Sequence, residues 1–145
     1  MSKDSTPHPR FGVDLHLHST CSDGRLSPTE LVEQACKAGV HSIALTDHDT
    51  MKGLPEAENA CRKYGLRLIN GVELSVFFKK EVHLLAYFID PGHQGIRRAL
   101  QDRSQARIDR VREICQRLDR LGCVVYPDQI IERSGDSVGR PHIAQ

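Results

Sequence analysis

Two histidines one residue apart stand near the start of the chain, inside the segment DLHLHSTCSDG at 14–24. One acid, Asp14, precedes His16 and His18, and a second acid, Asp23, follows them. Apolar and polar residues alternate around the histidines. This pattern is typical of a strand, in which side chains two residues apart point to one face. The two imidazoles would then lie side by side, an arrangement that suits a transition metal.

The two acids could serve such a metal in different ways. Asp14 falls on the same strand face as His16, so its carboxylate could orient the imidazole ring. Asp23 lies in the loop after the strand, from which it could reach back as a ligand. The other face of this strand is apolar, and we expect it to be packed: Val13, Leu15 and Leu17.

Further candidate ligands follow later strands. Asp47, His48 and Asp49 come directly after a continuously apolar segment, and Glu73 lies in NGVE. His83 interrupts an apolar strand, where an unpaired imidazole would be costly to bury. Because sites in α/β sheets form at the carboxyl ends of strands, these side chains could meet.

Each of these residues also has a simpler explanation when taken alone. His83 could be a satisfied core histidine, the two acids around His48 could cap a helix, and Glu73 could pair with an arginine. The metal-site hypothesis therefore depends on the conjunction of ligand types at successive strand ends. We assign no role to the remaining histidines, His8, His41 and His93.

The elements that would position these residues alternate between strand and helix. The sequence predicts strands at 13–18, 40–47 and 81–90, and one or two strands within 66–78, interrupted at 70–71. It predicts helices at 28–38 and 54–64, the first opened by a capping box in SPTE. This order indicates an α/β domain with a largely parallel sheet.

A long helix is predicted over 96–121, followed by a short one at about 127–133. The long helix carries eight arginines against four acids. The simpler interpretation is a solvated face that balances its charge locally. The alternative is a basic wall beside a phosphate-bearing substrate.

Composition sets broad limits on the class of protein. The chain has 145 residues, 39% hydrophobic and 27% charged, with a net charge of +1. No stretch approaches the roughly 18 apolar residues of a membrane span, so we expect a cytoplasmic protein that does not bind membranes. Five cysteines, widely spaced and without a Cys-x-x-Cys pair, favour reduced thiols.

Five segments, in order, resemble the successive motifs of the PHP (polymerase and histidinol phosphatase) family: DLHLHSTCSDG, ALTDHDT, NGVELS, EVHLLAYFID and GRPHIA. The last two, with the arginine-rich helix between them, resemble its TrpH-type branch. The resemblance runs from Phe11 to Gln145. It implies an α/β fold, the first part of a distorted seven-stranded (β/α) barrel with a helical insertion, which stops before the barrel closes.

The resemblance also implies a division of the chain. Residues 1–10 would be a flexible lead, and residues 11–91 the N-terminal half of the barrel. An inserted helical subdomain would occupy 92–138. Residues 139–145 would begin an incomplete return to the barrel.

The same resemblance assigns roles to individual residues. Six would bind metal and act in catalysis through it: His16, His18, Asp23, His48, Glu73 and His83, with Glu73 as the bridge. Asp47 and Asp49 match positions that support the ligands, as Asp14 would. Arg140 and His142 match a segment near the substrate phosphate. The implied cofactors are two or three divalent ions, manganese, zinc or iron, with magnesium a further candidate.

Members of this branch are phosphoesterases that use a metal-activated hydroxide. The resemblance implies a phosphatase of nucleoside 3′,5′-bisphosphates that also trims short RNA from its 5′ end. The expected partner is a small phosphorylated substrate, with no stable binding of duplex nucleic acid. A histidinol-phosphatase-like activity is the alternative within the family.

The resemblance further implies a His-Pro histidine and an Asp-x-His pair in the part of the barrel that follows GRPHIA, and this sequence has neither after that motif. We therefore expect the chain to be a fragment of a longer protein. A non-catalytic module that binds metal or nucleotide is the alternative from a different class of function.

Overall fold

The computed structural model describes residues 12–134 and 137–144. The order of strands and helices confirms the predicted α/β alternation. The elements are β1 (Gly12–Leu17), α1 (Pro28–Lys37), β2 (Val40–Leu45), α2 (Leu54–Tyr64), β3 (Arg67–Phe78), β4 (Lys80–Tyr87), α3 (Gln94–Arg120), α4 (Pro127–Ser134) and α5 (Arg140–Ile143).

The four strands form one sheet in the order β1-β2-β3-β4. β1 pairs with β2 and β2 with β3 in parallel, whereas β3 and β4 pair in antiparallel fashion. The sheet is therefore largely parallel, as predicted, and it is the first part of a β/α barrel. The carboxyl ends of β1 and β2 lie at the same edge, which brings the residues that follow them together.

β3 is a single strand, so the predicted interruption at 70–71 is wrong. Its first part, from Arg67 to Asn70, pairs with β2, and from Gly71 onward it pairs with β4. A Cβ atom at Gly71 would lie 2.7 Å from Cγ2 of Thr46. The glycine thus permits a close approach between strands at the point where β3 changes partner.

α1 and α2 cover one face of the sheet and form the main core with β2. Ser27 and Glu30 form the predicted capping box at the start of α1: the Ser27 backbone N–H donates to the Glu30 carboxylate over 2.8 Å. β2 is buried from Ser42 to Leu45, as predicted for a strand covered on both faces. The buried residues of this core are Val32, Ile43, Leu45, Leu54, Ala57, Ala60, Cys61 and Leu66.

The apolar face of β1 is less covered than the sequence predicts. Val13 is 55% exposed and Leu15 is 37% exposed, whereas Leu17 packs against the core. Within the described residues β1 pairs only with β2, and α1 packs on β2. No described helix therefore covers the part of β1 that holds Val13 and Leu15.

α3 and α4 build a second, smaller core with the segment before α5. Its buried residues are Val111, Cys115, Ile130 and Val138. The division of the chain into a barrel part and an inserted subdomain stays a prediction. All five cysteines are free thiols. Among the helices within 12–134 and 137–144, none has the length and apolarity needed to cross a bilayer.

The arginines of α3 are not only a solvated face, which corrects the simpler interpretation of that helix. Arg103 donates to the backbone carbonyl of Ser75, Arg107 binds Asp49, and Arg110 binds Glu81. These three arginines lie four and three residues apart, so they share one side of the helix. That side faces β3 and β4.

Candidate metal centre

The six predicted ligands converge at one edge of the sheet. His16 lies on β1 and His18 directly after it, His48 follows β2, Glu73 lies on β3 and His83 on β4. The histidine rings form a row with centroid separations of 5.1 Å from His16 to His18, 4.6 Å from His18 to His48 and 4.8 Å from His48 to His83. Two carboxylates complete the cluster.

Glu73 is the central carboxylate of this cluster and is 5% exposed. Its Oε2 lies 2.8 Å from Nε2 of His16, 2.9 Å from Nε2 of His18 and 3.7 Å from Nδ1 of His48. Its Oε1 lies 2.9 Å from Nδ1 of His83. One carboxylate therefore faces four imidazoles, a position that suits the bridging role implied by the resemblance.

Asp23 supplies the second carboxylate of the cluster, from the loop after β1. Its Oδ1 lies 3.4 Å from Nδ1 of His18, and its Oδ2 lies 3.6 Å from Nε2 of His48. His18 and His48 thus stand between the two carboxylates. Each offers one ring nitrogen to Asp23 and the other to Glu73.

The cluster divides into three overlapping groups, each with ligand atoms within 4.8 Å of one another. The first contains His16, His18 and Glu73, the second His18, Asp23 and His48, and the third His48, Glu73 and His83. Each pair of groups shares one residue: His18, His48 or Glu73. This arrangement could hold more than one ion, with shared ligands between them.

The protonation chemistry of the cluster fits a divalent cation. Nδ1 of His48 is buried and has no hydrogen-bond partner among the described residues. Burial lowers the pKa of His48, which favours the neutral imidazole that binds metals. Although burial alone would raise the pKa of Glu73, the hydrogen bond from His16 and the nearby His48 and His18 lower it overall. Glu73 is therefore an ionised carboxylate that faces the imidazole of His48, whose lowered pKa favours the neutral form.

Asp47 holds the loop that carries Asp23. Its buried carboxylate accepts hydrogen bonds from the backbone N–H and the hydroxyl of Ser19 and from the hydroxyl of Ser22, each over 2.7 Å. A Cβ atom at Gly24 would lie 2.2 Å from the carbonyl oxygen of His18, so the loop folds back tightly at this glycine. Asp47 thus contacts the segment that leads from β1 to Asp23.

Asp49 connects the residues after β2 to β3. Its backbone has a φ of 52°, in the left-handed region, and its N–H donates to the carbonyl of Glu73 over 3.0 Å. Its carboxylate accepts from the N–H of Ser75 over 2.8 Å and from Nε of Arg107 over 2.6 Å. His48 and Glu73 are held next to each other by these contacts. The supporting roles of Asp47 and Asp49 in metal binding stay predictions.

Asp14 contacts a different part of His16 than the sequence predicts. Its carboxylate accepts a hydrogen bond of 3.2 Å from the backbone N–H of His16, while the ring of His16 contacts Glu73. In a strand the side chain and the backbone N–H of neighbouring residues lie close, so this local contact competes with one to the ring.

A family model described as the PHP domain matches residues 14–143. The chain belongs to the PHP family. Among curated relatives, it is 40% identical over 133 residues to a 5′-3′ exoribonuclease of Haemophilus influenzae, covering 91% of this chain and 48% of that protein. It is 38% identical over 111 residues to a 3′,5′-nucleoside bisphosphate phosphatase of Chromobacterium violaceum, covering 76% and 39%.

Two solved structures have the same fold over this region. An amidohydrolase of Chromobacterium violaceum, with bound sulfate and no metal, gives a TM-score of 0.83 at 34% identity, covering 91% of this chain and 48% of that one. A candidate metal-dependent phosphoesterase of Bifidobacterium adolescentis gives 0.83 at 34% identity, covering 94% and 50%. The chain thus spans about half the length, or less, of the relatives it matches.

The two residues expected near a substrate phosphate in a PHP protein lie beside the cluster. Arg140 is 2.9 Å from the carboxylate of Glu81. Nε2 of His142 lies 3.0 Å from the carbonyl oxygen of Ser22, and its Nδ1 accepts the N–H of Gly139 over 3.0 Å. His142 therefore attaches α5 to the loop that carries Asp23. The substrate-binding roles of Arg140 and His142 stay predictions.

A cavity of about 300 Å³ opens from the cluster of six predicted ligands toward α3 and α5. The charged and imidazole side chains in its wall are Asp23, His48, Glu81, His83, Arg107, Arg110 and Arg140. Sequence reasoning named neither Glu81 nor the two α3 arginines as site residues. The available signal was the spacing of Arg103, Arg107 and Arg110 along one helical face.

Proposed function

We propose that this chain carries the metal centre of a PHP phosphoesterase that hydrolyses phosphate monoesters of nucleotides. The observation that carries this proposal is the convergence of four imidazoles on the carboxylate of Glu73. A buried carboxylate with so many imidazole neighbours is the donor set expected for divalent transition metals.

The proposed ligands are the six residues of the cluster, and two or three ions could be accommodated by its three overlapping groups. Manganese, zinc and iron all suit imidazole and carboxylate ligands, with magnesium a further candidate. When bound, such ions make a water acidic enough to act as a nucleophile near neutral pH and balance the charge on phosphoryl oxygens.

The protein's own residues would position the substrate next to this centre. The cavity places Arg110 and Arg140 in the same wall as His48 and His83. A guanidinium can hold a phosphate through two parallel hydrogen bonds. We propose that these arginines bind a phosphate of the substrate. In this proposal α3 is the basic wall beside a phosphate-bearing substrate. His142 would keep the Asp23 loop in place through its contact with Ser22.

The names of the relatives favour a nucleotide as the substrate. One is a 3′,5′-nucleoside bisphosphate phosphatase and another a 5′-3′ exoribonuclease. A nucleoside 3′,5′-bisphosphate and the 5′ end of a short RNA both present a phosphate beside a nucleoside. We propose the bisphosphate as the first substrate to test and the RNA end as the second.

A non-catalytic module that binds metal or nucleotide is the second candidate function. It is favoured by the share of the relatives' length that the chain spans, which is 48% for one relative and 39% for another. In that case the cluster would bind ions, but substrate would bind without reacting.

The two candidates are separated by incubating the manganese- or zinc-loaded chain with adenosine 3′,5′-bisphosphate and measuring free phosphate and bound nucleotide. Release of phosphate that His48→Gln abolishes and His41→Gln preserves would support the phosphoesterase. Binding without release would support the module. Neither release nor binding, with a short 5′-phosphorylated RNA also unchanged, would contradict both.

A further inference from the structure

Glu81 stands between two arginines from different elements. Its Oε1 lies 2.6 Å from a guanidinium nitrogen of Arg110, on α3, and its Oε2 lies 2.9 Å from one of Arg140, at the start of α5. Each carboxylate oxygen therefore receives one guanidinium. Glu81 itself lies on β4, so a single acid joins the sheet to both helices.

This arrangement belongs to the cavity that opens from the metal cluster. Glu81, Arg110 and Arg140 all line the cavity, together with His48 and His83. The nearest ring nitrogen, Nε2 of His83, lies 4.0 Å from Oε1 of Glu81. An anion in the place of the Glu81 carboxylate would thus lie beside the metal centre and contact both arginines.

The two ion pairs of Glu81 are exchangeable. The side chains of Arg110 and Arg140 are 43% and 70% exposed, and that of Glu81 is 24% exposed. Ion pairs in contact with solvent stabilise a fold only weakly, so solvent ions and ligands can compete with them. Arg107 differs, because its 12% exposed guanidinium is bound to a fully buried carboxylate of Asp49.

A phosphate monoester is a stronger partner for this pair of arginines than a carboxylate. It carries up to two negative charges and three terminal oxygens, and arginine binds it through forked, charge-assisted hydrogen bonds. A ligand without such a group cannot replace both contacts of Glu81. The carboxylate would then stay in the cavity and repel other anions.

We propose that Glu81 is a specificity-determining residue that occupies the phosphate position between Arg110 and Arg140 until a ligand phosphate displaces it. The identity of the ligand as a phosphate ester rests on the proposed function. Glu81 keeps the two arginines together in the free protein and lowers their affinity for other anions, because an anion must compete with its carboxylate. A ligand with a second phosphate beside the one at the metal centre binds strongly enough to displace Glu81.

The test measures binding of inorganic phosphate to the metal-free chain by isothermal titration calorimetry. Glu81→Gln keeps the size of the side chain and removes its charge, and we expect phosphate to bind about tenfold more tightly. Glu113→Gln is the matched control, because Glu113 pairs with Arg117 on α3 at the same 2.6 Å but does not line the cavity. Its affinity for phosphate should equal that of the unaltered chain.

The gain must also depend on the arginines. In Glu81→Gln combined with Arg140→Gln the tighter binding should disappear. Unchanged or weaker binding in Glu81→Gln, or a gain that survives Arg140→Gln, would overturn the proposal.

A second measurement does not require the variants to fold. Phosphate titrated into the ¹⁵N-labelled chain should shift the guanidinium Nε–H resonances of Arg110 and Arg140, and unshifted resonances at saturation would overturn the proposal. Both experiments omit metal, so a failure of the phosphoesterase proposal would leave their outcome unaffected.

Discussion

Asp49 and Arg107 form a buried ion pair, with 2.6 Å between Oδ2 and Nε, that joins the residues after β2 to the middle of α3. The same guanidinium donates to the hydroxyl of Ser75 over 2.7 Å and to the carbonyl of Val138 over 3.4 Å. Arg107 therefore contacts the segment next to His48, the strand that carries Glu73, and the segment before α5. It fixes the helical part of the chain against the cluster of histidines and carboxylates.

Replacing Arg107 by methionine should strongly destabilise the fold. The substitution leaves the carboxylate of Asp49, whose side chain is 0% exposed, without a cation. Breaking a buried pair in this way costs about 3–5 kcal/mol of the free energy of unfolding. Urea denaturation measures the loss as a lower midpoint.

Arg112→Met on the same helix is the control for this prediction. Arg112 lies 3.7 Å from Asp128, and the two side chains are 51% and 88% exposed. The expected loss is below about 0.5 kcal/mol. Equal losses for the two variants would contradict the anchoring role of Arg107. Asparagine tolerates the left-handed backbone at position 49, so Asp49→Asn can serve as a second background. In that background, Arg107→Met should lower the free energy of unfolding by less than it does in the unaltered chain.

Gly24→Ala should disturb the loop that presents Asp23. The added Cβ would lie 2.2 Å from the carbonyl oxygen of His18 and 2.8 Å from the backbone carbon of Ser19, so the backbone must shift. Overpacking of this kind costs about 1–3 kcal/mol. Thermal unfolding measures the stability, and Gly92→Ala, whose nearest neighbour is the flexible side chain of Asp90 at 3.1 Å, is the control. Equal melting temperatures for both variants would contradict the tight loop geometry.

The two cysteines Cys61 and Cys123 should react with iodoacetamide at very different rates. Burial raises the pKa of the Cys61 thiol to about 11, whereas Cys123 is exposed. Only the thiolate reacts, and at pH 8 about one Cys61 thiol in a thousand is deprotonated. Its labelling should therefore rise about tenfold for each pH unit below 11 while the fold persists. Peptide mass spectrometry gives both rates, and equal labelling at pH 8 would contradict the prediction.

The residues that meet in the candidate site could be predicted because local pattern and topology act together. The alternation in β1 places His16 and His18 on one face, and parallel pairing of β1 with β2 brings His48 to the same edge. The order of strands and helices followed from apolar periodicity and from the capping box at Ser27. Apolar periodicity and capping boxes involve residues that are close in sequence, so both can be recognised without the structure.

Other features depend on contacts between distant segments. The partner of Arg107 is 58 residues away in sequence, and the partner of Arg140 is 59 residues away. Charge counting along α3 could not show which arginines turn inward. Val13 is exposed because no helix of the described residues covers that part of β1, and β3 is continuous because it changes partner at Gly71. Neither property is local to those residues.

Whether the cluster binds metal is decided by the metal content of the purified 145-residue chain, measured by elemental analysis without added metal. We expect at least about one ion of manganese, zinc or iron per chain. The content should fall to near zero when His16 and His18 are both replaced by alanine. It should be unchanged when His41 and His93, which lie outside the cluster, are replaced in the same way. A metal-free chain, or a metal content that survives the loss of His16 and His18, would show that these residues do not form a metal centre.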